Sequence, residues 1–180
     1  EGFYTSLKSH VMNARNLKEV AEVVIPKAWS VLRASKAVMG AKANNTPLEF
    51  AANNTPGIMA PVSETLTLGH ASCSGLSIFL VDALRAVGVP ARVVGTPEWN
   101  EPTGGNHNWV EVWTDEGKDG WHFIDALPTT KVEWDKTWFA STSAKKAVPG
   151  TKHGIFSPVW DPHTKDALYE FSWRSPAVDW

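Results

Sequence analysis

The residue types best suited to covalent chemistry are a cysteine, a histidine and an aspartate: Cys73, His107 and Asp125. Cys73 is the only cysteine in the chain, so it has no internal disulfide partner. A thiol activated by an imidazole is a strong nucleophile, and a carboxylate that orients the imidazole completes the set. We therefore take these three side chains as candidate catalytic residues, with a buried structural cysteine as the alternative.

The stretch after Cys73 predicts an amphipathic helix that begins at the cysteine. Apolar residues recur at a spacing that places them on one helix face: Leu76, Phe79, Leu80, Ala83, Leu84 and Val87. Ser72 suits the N-cap, while Gly88 and Pro90 end the pattern. Cys73 would then lie in the first turn, where unpaired backbone N–H groups and the helix dipole stabilise a thiolate and could hold an oxyanion.

His107 and Asp125 lie on two segments that predict a β-hairpin. Residues 106–113 and 121–125 are rich in aromatic and β-branched side chains, and acidic and glycine residues lie between them. A turn centred on Glu116 would place His107 directly opposite Asp125. Opposed residues share a face with Cβ atoms about 4.5–5.5 Å apart, close enough for a carboxylate to orient an imidazole. A register change of one residue would put them on opposite faces.

These segments together resemble the core of the transglutaminase-like superfamily. The resemblance covers about a third of the chain and is carried by ASCSGLS at 71–77, GVPARVVG at 88–95, HNWVEVW at 107–113 and WHFID at 121–125. It implies a papain-like α+β fold, with a central helix that starts at the nucleophilic cysteine and packs on an antiparallel sheet. It also implies that Cys73 is the nucleophile, His107 the base and Asp125 the orienting carboxylate. No Trp or Gln lies shortly before Cys73 to serve as the side-chain oxyanion donor that many members use.

Length and composition are those of one globular domain. The chain has 180 residues, of which 43% are hydrophobic and 20% charged. We expect a single domain with a helical N-terminal part at 1–60, a catalytic core at 61–128 and a C-terminal extension at 129–180. The chain starts at Glu1 without a methionine, which suggests a processed or trimmed product. The compartment stays open, with an extracytoplasmic or secreted location favoured.

Patterning also predicts elements around the core. Helices are expected at 3–24, where Pro26 would end the helix, and at 27–43 and 61–68. A strand is expected at 91–96. The C-terminal part suggests a short helix at 134–139 and an edge strand at 167–173.

Charge and residue content argue against several classes of partner. A net charge of −2 gives no sequence-wide basic field, so binding of nucleic acid or anionic lipid has no electrostatic support. No apolar run approaches the roughly 18 residues that span a bilayer. A metal site built from His153, Asp161 and His163 is disfavoured because the close ligand spacing of zinc sites is missing. We expect neither a metal nor a cofactor, and the oligomeric state stays open.

Candidate substrate-binding residues flank the catalytic ones. Trp99 and Asn106 lie in a loop at 97–106 that delivers His107, and loops often carry binding residues. Ser72 and His70 flank Cys73 on its N-terminal side, and His70 is either a second imidazole or a structural histidine. The ten tryptophans could line a cleft for flat substrates or simply fill the core.

The favoured function is attack on an amide by Cys73 through a thioester, with peptidase-like hydrolysis of a peptide, protein or glycopeptide substrate. The first alternative is a protein-glutamine transglutaminase or another amide-forming acyltransferase. The second is a non-catalytic, Trp-rich module that binds a glycan or protein.

Overall fold

A computed structural model of the protein describes residues 1–57, 60–116 and 120–158. The helices are α1 (Gly2–Val11), α2 (Leu17–Ala34), α3 (Lys36–Met39), α4 (Val62–Leu68) and α5 (Cys73–Ala86), with short 3₁₀ turns at Gly40–Lys42 and Ser143–Lys146. The strands are β1 (Glu49–Phe50), β2 (His70–Ala71), β3 (Ala91–Thr96), β4 (His107–Trp113) and β5 (Trp121–Ile124). This arrangement confirms the predicted α+β class. None of the helices in these ranges is long and apolar enough to cross a bilayer.

A three-stranded antiparallel sheet in the order β3-β4-β5 forms the centre of the fold, and β4 is its middle strand. Successive side chains of a strand point to opposite faces. Val110 and Val112 accordingly join the large core formed with α5 and α2, whereas Trp109 joins a smaller apolar cluster of Val94, Trp99, Trp109, Phe139 and Ile155. The sheet is therefore covered on both faces, which explains why six of the seven β4 residues are buried.

The predicted helix α5 is confirmed at both ends. Its apolar stripe is at 0% exposure from Leu76 to Leu84, and Val87 at the end of the stripe is partly buried. The helix terminates at Ala86, and Gly88 takes a φ of 87°, the left-handed conformation that glycine adopts without a steric penalty. Burial of this stripe against the sheet fixes the position of the first turn, where Cys73 lies.

The N-terminal helices differ from the prediction in where they break. A single helix over residues 3–24 was expected, but α1 ends at Val11 and α2 begins after Asn16, whose side chain accepts a hydrogen bond from the backbone N–H of Glu19 at 2.8 Å. Pro26 lies inside α2 instead of ending a helix. The helix continues because its buried face, Ala21 to Leu32, outweighs the one backbone hydrogen bond that proline removes.

The sheet register is displaced by two residues from the predicted one. The ladder pairs Val110 with Ile124 and Trp113 with Trp121, so His107 is not directly opposite Asp125. The predicted pairing was wrong, because it assumed a turn centred on Glu116. A displacement of two preserves the face on which each side chain lies, since the side-chain period of a strand is two.

Up to residue 158, the C-terminal part contributes turns, the 3₁₀ turn at Ser143–Lys146 and one bridge. Residues 134–139 form turns where a short helix was predicted, and Asp135 adopts a φ of 59° while its carboxylate accepts from the backbone N–H of Phe123 at 3.0 Å. Phe156 forms an antiparallel bridge with Gly95 of β3. This segment therefore closes over the face of the sheet that carries Trp109. The strand predicted at 167–173 lies outside the described residues.

Candidate active site

Cys73 is the first residue of α5 and is half-buried. Ser72 is the N-cap, as predicted, and its Oγ accepts from the backbone N–H of Gly75 at 3.5 Å. Gly75 has no side chain because the first turn packs closely on β2, where an added Cβ would lie 2.7 Å from the Cβ of Ala71. The first turn of α5, which carries the thiol, is thus packed directly against β2.

His107 and Asp125 form a hydrogen-bonded pair beside this turn. Nε2 of His107 lies 2.9 Å from Oδ1 of Asp125, and the two side chains are only 11% and 14% exposed. His107 also interacts with Cys73, and each of the two side chains displaces the pKa of the other. Because Nε2 faces the carboxylate, Nδ1 is the ring nitrogen left for the thiol. The structure therefore brings together the three residues that the sequence singled out.

The pKa values of His107 and Cys73 are displaced in opposite directions. Burial would lower the pKa of His107, but hydrogen bonds and charge from Asp125 and Cys73 outweigh it and raise that pKa to about 9. Burial raises the pKa of Cys73, because it disfavours the charged thiolate. Hydrogen bonding from His107, from the Asn108 backbone and from Ser74 outweighs burial, together with the charge of the imidazolium. The pKa of Cys73 therefore lies below its ordinary value. Both displacements favour a thiolate–imidazolium pair over a neutral thiol beside a neutral imidazole.

Asn108 is a residue of the site that the sequence analysis did not single out. Its backbone helps to lower the pKa of the Cys73 thiol, and its side-chain Nδ2 donates to Ser74 Oγ at 2.5 Å. The side chain is 2% exposed and its Oδ1 has no hydrogen-bond partner among the residues that the structure describes. The alternation of side chains along a strand could have identified Asn108 from the sequence. It turns Asn108 toward α5, while His107 points to the other face of the sheet.

Gly95 makes room for Asn108. A Cβ at Gly95 would collide with Oδ1 of Asn108 and lie 2.6 Å from the carbonyl oxygen of His107. Gly95 has no functional group. It still belongs to the site, because it determines how closely β3 approaches β4, the strand that carries His107.

Trp138 is a second residue that the sequence analysis missed. Its indole Nε1 donates to Oδ2 of Asp125 at 3.1 Å, and its ring centroid lies 5.2 Å from that of His107. The side chain is 58% exposed. No local pattern could reveal this contact, since Trp138 follows Asp125 by thirteen residues in a stretch without regular structure.

The four predicted substrate-binding residues have different environments. Trp99 is 5% exposed and stacks on Trp109 with centroids 6.1 Å apart, whereas Asn106 is exposed beside His107. Ser72 caps the catalytic helix. His70 hydrogen-bonds through Nε2 to the carbonyl of Asn54 at 2.9 Å, as a structural histidine does. Their contact with substrate stays a prediction.

Metal ligation has no support in the part of the chain that is described, where no group of three His, Cys, Asp or Glu side chains could hold an ion. His153 lies 3.2 Å from the carbonyl oxygen of Glu98. Asp161 and His163, the other members of the disfavoured metal site, lie outside the described residues.

The profile of the transglutaminase-like superfamily matches residues 18–126, more than half of the chain. The chain therefore belongs to this superfamily. The matched range contains Cys73, His107 and Asp125. No curated protein sequence matches the chain.

Solved structures with a similar fold include three proteins. One is a proposed cysteine protease from Cytophaga hutchinsonii, with 14% identity and a TM-score of 0.45 over 72% of this chain. Another is the periplasmic domain of TgpA from Pseudomonas aeruginosa, with 17% identity and a TM-score of 0.45 over 69% of this chain. A third is described as a TGase, with 20% identity and a TM-score of 0.40 over 79% of this chain. The chain spans only 37%, 41% and 35% of these proteins.

Proposed function

We propose that this protein is a cysteine-dependent enzyme that attacks an amide carbonyl, with Cys73 as nucleophile, His107 as general base and acid, and Asp125 as orienting carboxylate. The observation that carries the proposal is the 2.9 Å contact between His107 and Asp125 beside Cys73, with His107 and Cys73 each displacing the pKa of the other. Membership of the superfamily supports cysteine-based chemistry at amide bonds in general.

The reaction follows from the protonation states. The thiolate of Cys73 attacks the carbonyl carbon, and the resulting oxyanion faces the backbone N–H groups of the first turn of α5. His107, protonated in the resting pair because its pKa is raised to about 9, donates its proton to the departing amine. The C–N bond breaks and a thioester to Cys73 forms.

The second half of the reaction regenerates the thiolate. His107, now neutral, removes a proton from water, which attacks the thioester and releases the carboxylic acid. We favour this peptidase-like hydrolysis on a peptide, protein or glycopeptide. If a primary amine attacks in place of water, the same thioester gives a new amide, which is transamidation.

A product analysis tests the proposal and separates its branches. Wild-type protein and Cys73→Ala would be incubated with a peptide library, with and without a primary amine, and both products and protein examined by mass spectrometry. We expect shortened or deamidated peptides and a covalent acyl adduct on the wild-type protein only. Products that carry the added amine would show that the reaction is transamidation and not hydrolysis. Equal processing by both proteins, or by neither, would reject the thiol mechanism.

Alkylation distinguishes the enzyme from a binding module. A thiolate stabilised by His107 reacts with iodoacetamide near neutral pH, whereas a structural thiol reacts slowly. We expect rapid, stoichiometric labelling of Cys73 in the native protein. Labelling that begins only where an ordinary thiol ionises would favour a non-catalytic module.

A further inference from the structure

Trp138 joins two members of the proposed triad without being one of them. Its indole N–H donates to Oδ2 of Asp125 at 3.1 Å, while Oδ1 of the same carboxylate lies 2.9 Å from Nε2 of His107. The indole ring also lies against the imidazole, with centroids 5.2 Å apart and planes tilted by 55°. One side chain therefore contacts both the orienting carboxylate and the base.

We propose that Trp138 is a positioning residue of this site: its N–H fixes the Asp125 carboxylate so that Oδ1 faces His107, and its ring covers one side of the imidazole. The proposal rests on the function proposed above, since orientation of His107 matters only if that residue transfers protons. Trp138 acts through Asp125 and has no direct part in bond making.

A carboxylate needs such a partner because its terminal torsion is soft. Rotation about the Cβ–Cγ bond of an aspartate has broad, roughly two-fold preferences, so one hydrogen bond to His107 leaves the group free to turn. A second donor on Oδ2 removes that freedom. A catalytic group is held in productive geometry only when its supporting side chain is itself held.

Trp138 meets that condition although it is largely exposed. Its ring makes edge contacts with Trp99, at 6.2 Å and 74°, and with Phe139, at 5.4 Å and 88°. Its carbonyl oxygen accepts from the hydroxyl of Thr142 at 3.1 Å. The indole is thus supported by the small apolar cluster on the outer face of the sheet. Trp99, predicted as a substrate contact, supplies part of this support.

The central test is Trp138→Phe, which keeps an aromatic ring and removes the N–H. We expect kcat to fall by roughly ten- to a hundredfold, the order that follows from loss of a hydrogen bond to a charged group, with KM nearly unchanged. We also expect the basic limb of the kcat/KM profile to move to lower pH, because a less well-held Asp125 stabilises the imidazolium less. The other titratable group facing His107 is Cys73 itself.

Trp134 provides a matched control within the same segment. Its indole N–H donates to Glu22 at 3.0 Å, and its ring lies near His122, away from the triad. Trp134→Phe should show the kcat and pH profile of the wild type. Trp138→His, which returns a ring N–H, should recover part of the activity lost in Trp138→Phe.

The outcomes separate this proposal from the proposed function. If wild-type Cys73 shows no thiolate reactivity at neutral pH, the proposed function fails first. If the wild type is reactive but Trp138→Phe has the same kcat and basic limb, the positioning role is overturned while the triad stands. Equal losses in Trp134→Phe and Trp138→Phe would show a general effect of the segment and would also overturn it.

Discussion

Oδ1 of Asp125 lies 2.9 Å from Nε2 of His107 although the two residues are not paired in the β4–β5 ladder. Strand β5 ends at Ile124, and Asp125 follows it. The contact therefore depends on the face that each side chain occupies and on the path of the chain beyond the strand. A register displacement of two residues keeps both side chains on the same face, whereas a displacement of one would separate them.

Replacing Cys73 by alanine is expected to abolish turnover and leave the fold intact. The side chain is small and half-buried at the start of α5, and the Ser72 cap does not involve the thiol. Turnover would be assayed on the substrate identified with the wild type, and circular dichroism would verify the fold. Turnover at the wild-type rate would remove Cys73 from the mechanism.

Replacing Asp125 by asparagine should preserve the hairpin and lower kcat by orders of magnitude, about 10⁴-fold by analogy with the aspartate of serine-type triads. An amide no longer stabilises the imidazolium and can present its NH₂ group to Nε2, which favours the wrong His107 tautomer. Steady-state kinetics measure the loss. The role of orienting carboxylate fails if kcat stays within a few fold of the wild type.

The plot of kcat/KM against pH should be bell-shaped. The reactive pair exists above the pKa of Cys73, which lies below its ordinary value, and below the pKa of His107, which lies near 9. Activity should therefore rise through the lowered thiol pKa and fall near pH 9 as the imidazolium loses its proton. The check is kcat/KM against pH for both limbs, with the alkylation rate against pH reporting the acid limb alone. A single rising limb near the ordinary thiol pKa of about 8.5 would contradict the pairing.

Replacing His107 by alanine should return the thiol pKa toward about 8.5, because the imidazolium and its hydrogen bond are removed. Alkylation at neutral pH should then slow relative to the wild type. Coincident alkylation profiles for the two proteins would show that His107 does not act on the thiol.

Replacing Gly95 by alanine should impair the site from the neighbouring strand. The added Cβ would lie 2.6 Å from the carbonyl oxygen of His107, so β4 or the Asn108 side chain must shift. We expect a lower melting temperature and lower kcat. Gly57→Ala is the matched control, since a Cβ at Gly57 meets nothing within 4 Å among the residues that the structure describes and should change neither. Wild-type behaviour of Gly95→Ala would mean that this close approach is not required.

Local sequence patterns predict much of the candidate site. The apolar period and caps of α5 determine that Cys73 begins a helix, and the β-branched and aromatic runs at 107–113 and 121–124 determine two strands. The parity of the hairpin came from the assumed turn position, and the observed pairing, displaced by two residues, keeps that parity. These features depend on neighbours a few residues apart, so the sequence predicts them.

Tertiary structure alone decided the rest. The continuation of α2 through Pro26, the exact hairpin pairing, the bond from Asn108 to Ser74 and the contact of Trp138 with Asp125 each depend on another part of the chain. Local preferences differ by only about 1 kcal/mol among ordinary residues, whereas burial of a large side chain contributes about 1.5–3 kcal/mol, so packing overrides them where the two disagree. A tryptophan thirteen residues beyond the aspartate meets its carboxylate only because the apolar cluster on the outer face of the sheet holds it there.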